Sequence, residues 1–173
     1  MLRGVNVGGN NIIRMAELRD LCCELGLIEP ETLVQSGNIV FRAPKLSTAK
    51  VASAVSDGIQ RKLGFRPETV VRTVDELQKT IDRNPFADRM EEISGSRLLV
   101  IFFGREPAEL PAFTTQTTEE LHFIGKELYV YYAEGMGTSK LGQQLDRLLK
   151  ASVPTARNWN TVTKLLEMAK RKL

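Results

Sequence analysis

One histidine, His122, and two cysteines, Cys22 and Cys23, are all the chain offers of the side chains most used to bind zinc or to drive a nucleophilic triad. A structural zinc site of the usual Cys/His composition takes four such ligands, and these two cysteines lack a second ligand pair, which argues strongly against zinc. His122 alternates with apolar neighbours in a predicted strand, where a lone histidine reads as surface or half-buried filler rather than a general base. The two cysteines are adjacent in a predicted helix and form no disulfide framework. They read as reduced thiols, one packed and one partly exposed. Long apolar runs are missing as well. The longest, Leu98 to Phe103, falls far short of the roughly 20 residues a membrane helix needs. No basic-then-apolar leader opens the chain. A cytosolic address and no membrane partner are the expectation.

What is present is ordinary for a folded domain. The 173 residues are 42% hydrophobic and 26% charged, which supports a real core and excludes disordered and fibrous classes. A formal charge of +3 with a pI near 8.9 is mildly basic, and Lys164, Lys170, Arg171 and Lys172 concentrate much of the excess near the end. Acidic partners are permitted by this balance but not demanded.

Along the chain, Leu2 to Val5 reads as the tail of a strand running into the turn Gly8-Gly9-Asn10-Asn11. Met15, Leu18, Leu21 or Cys22, and Leu25 then recur at helical spacing before a stop at Gly26. Thr32–Val34 and Ile39–Phe41, flanking Gln35-Ser36-Gly37-Asn38, form a hairpin candidate. An amphipathic helix through Ala52, Val55, Ile59 and Leu63 ends at Gly64, and Thr69 to Val71 reads as a strand. Thr73 and Glu76 have the spacing of a capping box for a helix that Asn84-Pro85 closes. Beyond a polar connector, Leu98 to Phe103 is a central strand, Pro107 to Pro111 a short helix or turn, and Leu121–Ile124 with Leu128–Tyr132 a hairpin around Gly125-Lys126. Two helices end the chain, one with Leu141, Leu145, Leu148 and Leu149, the other with Trp159, Val162, Leu165, Leu166 and Ala169.

The order βαββαβ followed by βαββαα predicts an α+β fold of two ferredoxin-like halves, antiparallel sheets covered by helices. The expected divisions are residues 1–73, a helix and connector at 74–96, and 97–173 with an extra terminal helix.

Three segments combine glycines, amides and a cation at predicted strand-to-helix junctions, where free backbone N–H groups bind anions. The first is Arg3 to Asn10, in which Gly8 and Gly9 let the backbone turn and approach a ligand while Arg3 and Asn6 add directed hydrogen bonds. A plain tight turn is the competing reading. The second is Gly135 to Lys140, with Thr138 or Ser139 as helix N-cap and Lys140 as the cation. It lacks the spacing of a phosphate-binding loop, which argues against a nucleoside triphosphatase. The third is Thr155 to Thr161, where Thr155 caps a helix, Trp159 is a core anchor, and Arg157 beside a helix N-terminus is electrostatically awkward without an anion. Arg157, Asn160 or Thr161, and Lys164 would share one stripe of that helix, either an anion site or a merely solvated face, with Asn158 beside them. Ser36, Gly37 and Asn38 complete the set as a turn in which Asn38 tolerates left-handed geometry. Glu91-Glu92 and Glu119-Glu120 read as solvated surface.

Leu-Arg-Gly-Val-Asn-Val-Gly-Gly, Gln-Ser-Gly-Asn-Ile-Val-Phe, Gly-Thr-Ser-Lys-Leu and Thr-Ala-Arg-Asn-Trp-Asn-Thr-Val, in that order over essentially the whole chain, make it resemble the bacterial domain-of-unknown-function family DUF1697. The resemblance implies two ferredoxin-like halves and a group with no established activity, so it carries over no catalytic residue. Members of the family usually start with several more strand residues than Met1-Leu2-Arg3, so the first strand here is expected to be short.

The leading expectation is a module binding an anionic ligand, a phosphorylated small molecule, a nucleotide or a nucleic acid, through Arg3, Asn6, Gly8, Gly9, Ser36, Gly37, Asn38, Ser139, Lys140, Arg157, Asn158 and Asn160, with no cofactor. The nucleic-acid version lacks the interleaved aromatics that RNA-stacking sheets carry on their central strands. The alternatives are a metal-independent enzyme using Lys140 with Ser139 or Ser36, and a scaffold whose motifs are turns and caps.

Overall fold

The computed structural model describes residues 1–43, 45–107, 118–137, 139, 141–148 and 154–173. The elements in chain order are α1 (Met15–Glu24), β1 (Ile28–Leu33), β2 (Asn38–Arg42), α2 (Thr48–Leu63), α3 (Val74–Asp82), a 3₁₀ turn (Ala87–Arg89), β3 (Leu98–Phe102), β4 (Glu119–Ile124), β5 (Glu127–Tyr132), α4 (Leu141–Leu148), β6 (Thr155–Asn158) and α5 (Trp159–Lys170). The fold is α+β with two antiparallel sheets. It divides into two compact units, Met1–Glu76 with Lys164–Leu173, and Leu77–Thr163.

In the first unit the helices begin and end where local chemistry dictates. Ser47 caps α2 by accepting the Lys50 N–H at 3.3 Å, and Gly64, at φ 81, closes it through an N–H bond to the Gln60 carbonyl. The Thr73 hydroxyl accepts the Glu76 N–H while the Glu76 carboxylate accepts the Thr73 N–H, at 3.1 and 2.9 Å. That reciprocal box starts α3. The core gathers Leu2, Val5, Ile13, Leu18, Leu21, Cys22, Ile39, Val51, Val55 and Ile59, so the apolar stripes of α1 and α2 join Ile39 of β2 in one cluster.

The expected strands at Leu2–Val5 and Thr69–Val71 are reduced to one antiparallel bridge, Leu2 to Thr69. Backbone bonds still hold this segment: the Leu2 N–H donates to Gly37, the Arg3 N–H to Glu68 and the Val70 N–H to Met1, each at 2.9 Å. Left-handed residues from Gly4 onward end any ladder there. The sequence Leu2 to Val5 has strand composition, but the turn chemistry that follows wins.

The second unit contains a sheet in the order β4-β5-β3-β6, antiparallel throughout, which is the strand order of a ferredoxin-like βαββαβ unit. Its two faces follow from the register. Leu99, Ile101, Phe103, Leu121, Phe123, Leu128, Val130 and Tyr132 share one face and pack with Leu141 and Leu145 of α4. Leu98, Val100, Phe102, Tyr129 and Tyr131 share the other. There the Tyr129 hydroxyl donates to the Thr80 carbonyl of α3 at 2.6 Å, and Phe86 lies against Tyr131.

β6 corrects the expected βαββαα order. Thr155 does not cap a helix. It pairs with Phe102 as the first residue of β6 and is 3% exposed. The cap of α5 is Asn158, whose side-chain oxygen accepts the Thr161 N–H at 2.9 Å. Pro154 supplies no donor, which suits the start of an edge strand as well as the approach to a helix. Trp159 and Val162 are buried as expected, whereas Pro107–Pro111 lies, apart from Pro107, outside the described residues, as does Leu149.

Candidate functional site

In the first unit two of the four sequence motifs come together. Gly8 and Gly9 occupy the centre of a tight hairpin in which the Asn10 N–H donates to the Val7 carbonyl at 3.0 Å and the Asn6 N–H to Asn11 at 3.2 Å. Their φ values of 58 and 77 are the double left-handed pair that a type I′ turn requires. Both glycines are exposed, and a Cβ at either would touch nothing within 4 Å. Their role is therefore conformational rather than close packing.

Asn6 ties this hairpin to the second motif. Its side-chain nitrogen donates to the Gln35 carbonyl at 2.7 Å and to the Ile13 carbonyl at 3.0 Å, while its side-chain oxygen accepts the Ile13 N–H at 2.9 Å. All three polar valences needed to cross-link two loops come from one amide. Gly37 brings the chains into contact on the other side. At φ 72 its Cβ would lie 2.6 Å from Val5 Cγ2 and 2.8 Å from Leu2 Cβ. Asn38 is not left-handed. It is the first residue of β2, fully buried, and donates to Leu33 and to the Ser36 hydroxyl at 3.3 and 3.0 Å. The left-handed positions of this turn are Val34 and Gly37. Arg3, Asn6, Gly8, Gly9, Ser36, Gly37 and Asn38 thus share one region, with Asn38 serving as its buried frame.

The backbone of that region is unusual. Gly4, Asn6, Gly8, Gly9 and Asn11 all have positive φ, interleaved with residues that do not. Gly8 and Gly9 are consecutive left-handed residues at the tip of the turn, whereas Gly4, Asn6 and Asn11 stand singly. The Gly8 and Gly9 N–H groups have no acceptor among the described residues. Glycine and asparagine are the residues that adopt this conformation at little cost.

In the second unit the other two motifs stay apart. The Ser139 hydroxyl donates to the Glu119 carboxylate and accepts the Leu141 N–H at 3.0 Å, at the start of α4. Lys140 and Thr138 lie outside the described residues. Arg157 sits on β6, and β3 and β5 lie between it and β4, where Glu119 is. At about 4.8 Å per strand that is roughly 14 Å of sheet. Arg157 is not in a helical stripe with Asn160 and Lys164, because it belongs to a strand whose register opposes it to Val100. Its guanidinium donates to the Thr155 hydroxyl and the Ala156 carbonyl at 2.8 and 2.6 Å, and burial lowers its pKa to about 10. Asn158 caps α5, and the Asn160 side chain lies against Gly95 so closely that no Cβ fits there. Both asparagines have structural work.

The sheet face that an RNA-stacking fold would leave open is occupied by the chain itself. Phe102 and Tyr129 are 0% and 1% exposed beneath α3 and the Phe86 region, and His122 stands edge-on to Phe86 at 5.2 Å. Arg89 covers the rim, with bonds of 2.9 Å to both oxygens of Glu120. Among the described residues no group of three or more His, Cys, Asp or Glu is placed to hold a metal ion, and no helix is long and apolar enough to cross a membrane.

Two features escape a reading of the sequence. Glu119 is not solvated surface: one carboxylate oxygen binds Ser139 and the other is buried without a hydrogen-bond partner among the described residues. Nothing in the spacing of residues 119 and 139 signals that pairing. Val7, Ile12 and Val34 are apolar yet 64%, 65% and 60% exposed around the Asn6 cross-link. Their position in turn-rich segments is the signal that was present.

The chain resembles a solved structure, the conserved bacterial protein SP0830 from Streptococcus pneumoniae, with a TM-score of 0.77, 22% identity, and coverage of 98% of this chain and 96% of that one. At that identity the likeness concerns the fold. A search of curated proteins finds no match. The family model described as "Protein of unknown function (DUF1697)" matches residues 1–129, and the chain belongs to that family.

Proposed function

We propose that this protein is a binding module for an anionic ligand, phosphorylated or carboxylate-bearing, received at the glycine-rich loop between Arg3 and Asn11 beside the Gln35–Asn38 turn. The observation that carries the reading is the left-handed turn with the exposed Gly8 and Gly9 N–H groups without an acceptor among the described residues. Main-chain donors fixed in advance bind an oxyanion without the ordering cost of flexible side chains. A thermal-shift screen with inorganic phosphate, nucleotides, sugar phosphates, carboxylates and short oligonucleotides tests it. A ligand at a hundred times its dissociation constant stabilises the native state by roughly 2.7 kcal/mol. The stabilisation is expected in the wild-type protein and in Arg157→Ala, and to be lost in Asn6→Ala measured against its own baseline. A flat screen, or a shift that survives Asn6→Ala, overturns the reading.

A second reading is an enzyme using Ser139, favoured by the hydrogen bond that aims its proton at Glu119. Labelling of Ser139 by a serine-directed fluorophosphonate, abolished in Glu119→Gln, would support it. A wild-type protein that stays unlabelled removes it.

A further inference from the structure

The apolar side chains around the loop have no use for an anion alone. Val7 follows Asn6, Ile12 precedes Ile13 and Val34 precedes Gln35, so each neighbours a residue of the Asn6 cross-link. Val34 is held at φ 52, a conformation that β-branched residues avoid. The fold thus keeps a valine in water where asparagine or glycine would sit without strain. Residues 7–12 and 34–36 are exposed throughout. A small molecule on so open a surface would leave most of its own area in water. Covering the valines and isoleucine from outside would take part of a larger chain.

We propose that the anion received by this loop is the terminal carboxylate of a polypeptide whose last side chain is apolar; the inference rests on the anion-binding reading above. Charge complementarity selects the carboxylate, since the main-chain N–H groups of Gly8 and Gly9, without an acceptor among the described residues, carry partial positive charge. The exposed Val7, Ile12 and Val34 select the group next to it. A terminal leucine or valine carries both on adjacent atoms, whereas a nucleic-acid phosphate carries only the first and an internal peptide segment only the second. Capture of a chain terminus by backbone N–H groups is an established recognition mode.

The test titrates the full chain with four probes: N-acetyl-Ala-Ala-Leu as free acid, the same peptide as its amide, octanoate, and inorganic phosphate, read from the Gly8 and Gly9 amide signals. The free acid is expected to bind at least tenfold tighter than its amide and than octanoate. In Ile12→Ser/Val34→Ser, which alters only exposed positions outside the Arg3–Asn11 loop, the peptide weakens at least tenfold while phosphate binding is unchanged. Equal binding of acid and amide, octanoate as tight as the peptide, or phosphate binding without any peptide preference overturns the carboxylate-terminus inference and leaves the anion site standing. No saturable change with any probe overturns both.

Discussion

The Asn6 side-chain amide donates to the Gln35 carbonyl at 2.7 Å, joining two loops that lie 29 residues apart. Through that bond, the glycine-rich hairpin and the turn before β2 become one surface rather than two independent turns. The same surface carries N–H groups with no acceptor among the described residues and the exposed apolar side chains, so the two loops account for both the proposed chemistry and its selectivity.

Gly37 is the packing counterpart of Asn6, and its substitution separates packing from backbone strain. In Gly37→Ala the new Cβ meets Val5 and Leu2 at 2.6 and 2.8 Å, in addition to the left-handed φ of 72. Gly26→Ala has φ 76 and open space. Strain alone costs on the order of 1–2 kcal/mol, and overpacking adds roughly 1–3 kcal/mol. Urea denaturation should therefore find Gly37→Ala less stable than Gly26→Ala by about 1–3 kcal/mol. Equal losses would contradict the close approach.

Asn158 distinguishes a cap from a ligand residue. Asn158→Ala is expected to lose about 1 kcal/mol of stability, whereas Asn158→Asp, still an acceptor for the Thr161 N–H, keeps most of it. Anion binding at the first-unit loop should be the same in both variants. A loss of binding with no loss of stability would return Asn158 to the site.

Cys22 sets an alkaline limit. Burial, with Cys23 adding to it, pushes its thiol from 9.0 up to about 12. Above pH 9.0 the unfolded chain releases this proton first, so the folded state holds more protons and stability falls as pH rises from 9.0 toward about 12. The contribution is about 1.4 kcal/mol per pH unit. Burial also raises the Tyr129 hydroxyl, whose loss of stability starts near 10.0. Urea midpoints between pH 8 and 11 should drop more steeply for the wild type than for Cys22→Ala. Parallel slopes would show that the thiol ionises freely in the fold.

The helices and long strands were legible in the residues because their signals are local. Leu18, Leu21 and Cys22 recur on one face of α1, Gly64 stops α2, and the Leu98–Phe102 run forms the buried strand its composition announces. Thr155–Asn158 was not legible as a strand. Its four residues lack apolar alternation, and their extension comes from pairing with β3, a tertiary constraint that overrides a plausible capping signal. Leu2 to Val5 failed in the opposite sense, since strand-forming side chains yielded to the left-handed residues that begin at Gly4. For the site, the glycine and asparagine composition marked the loop, and Ser36-Gly37 marked the turn. Their union depends on one side chain, Asn6, bonding a backbone carbonyl across 29 residues, which no spacing rule reveals. The pairing of Ser139 with Glu119 was hidden for the same reason.

The most direct test of the account is a titration of isotope-labelled protein with inorganic phosphate, followed through the amide signals of residues 4–11. The account predicts saturable shifts centred on Gly8 and Gly9, absent in Asn6→Ala, whose α2 and β3 signals stay in place. Saturable shifts confined to Lys164, Lys170 and Arg171, or no saturation at all, would contradict it.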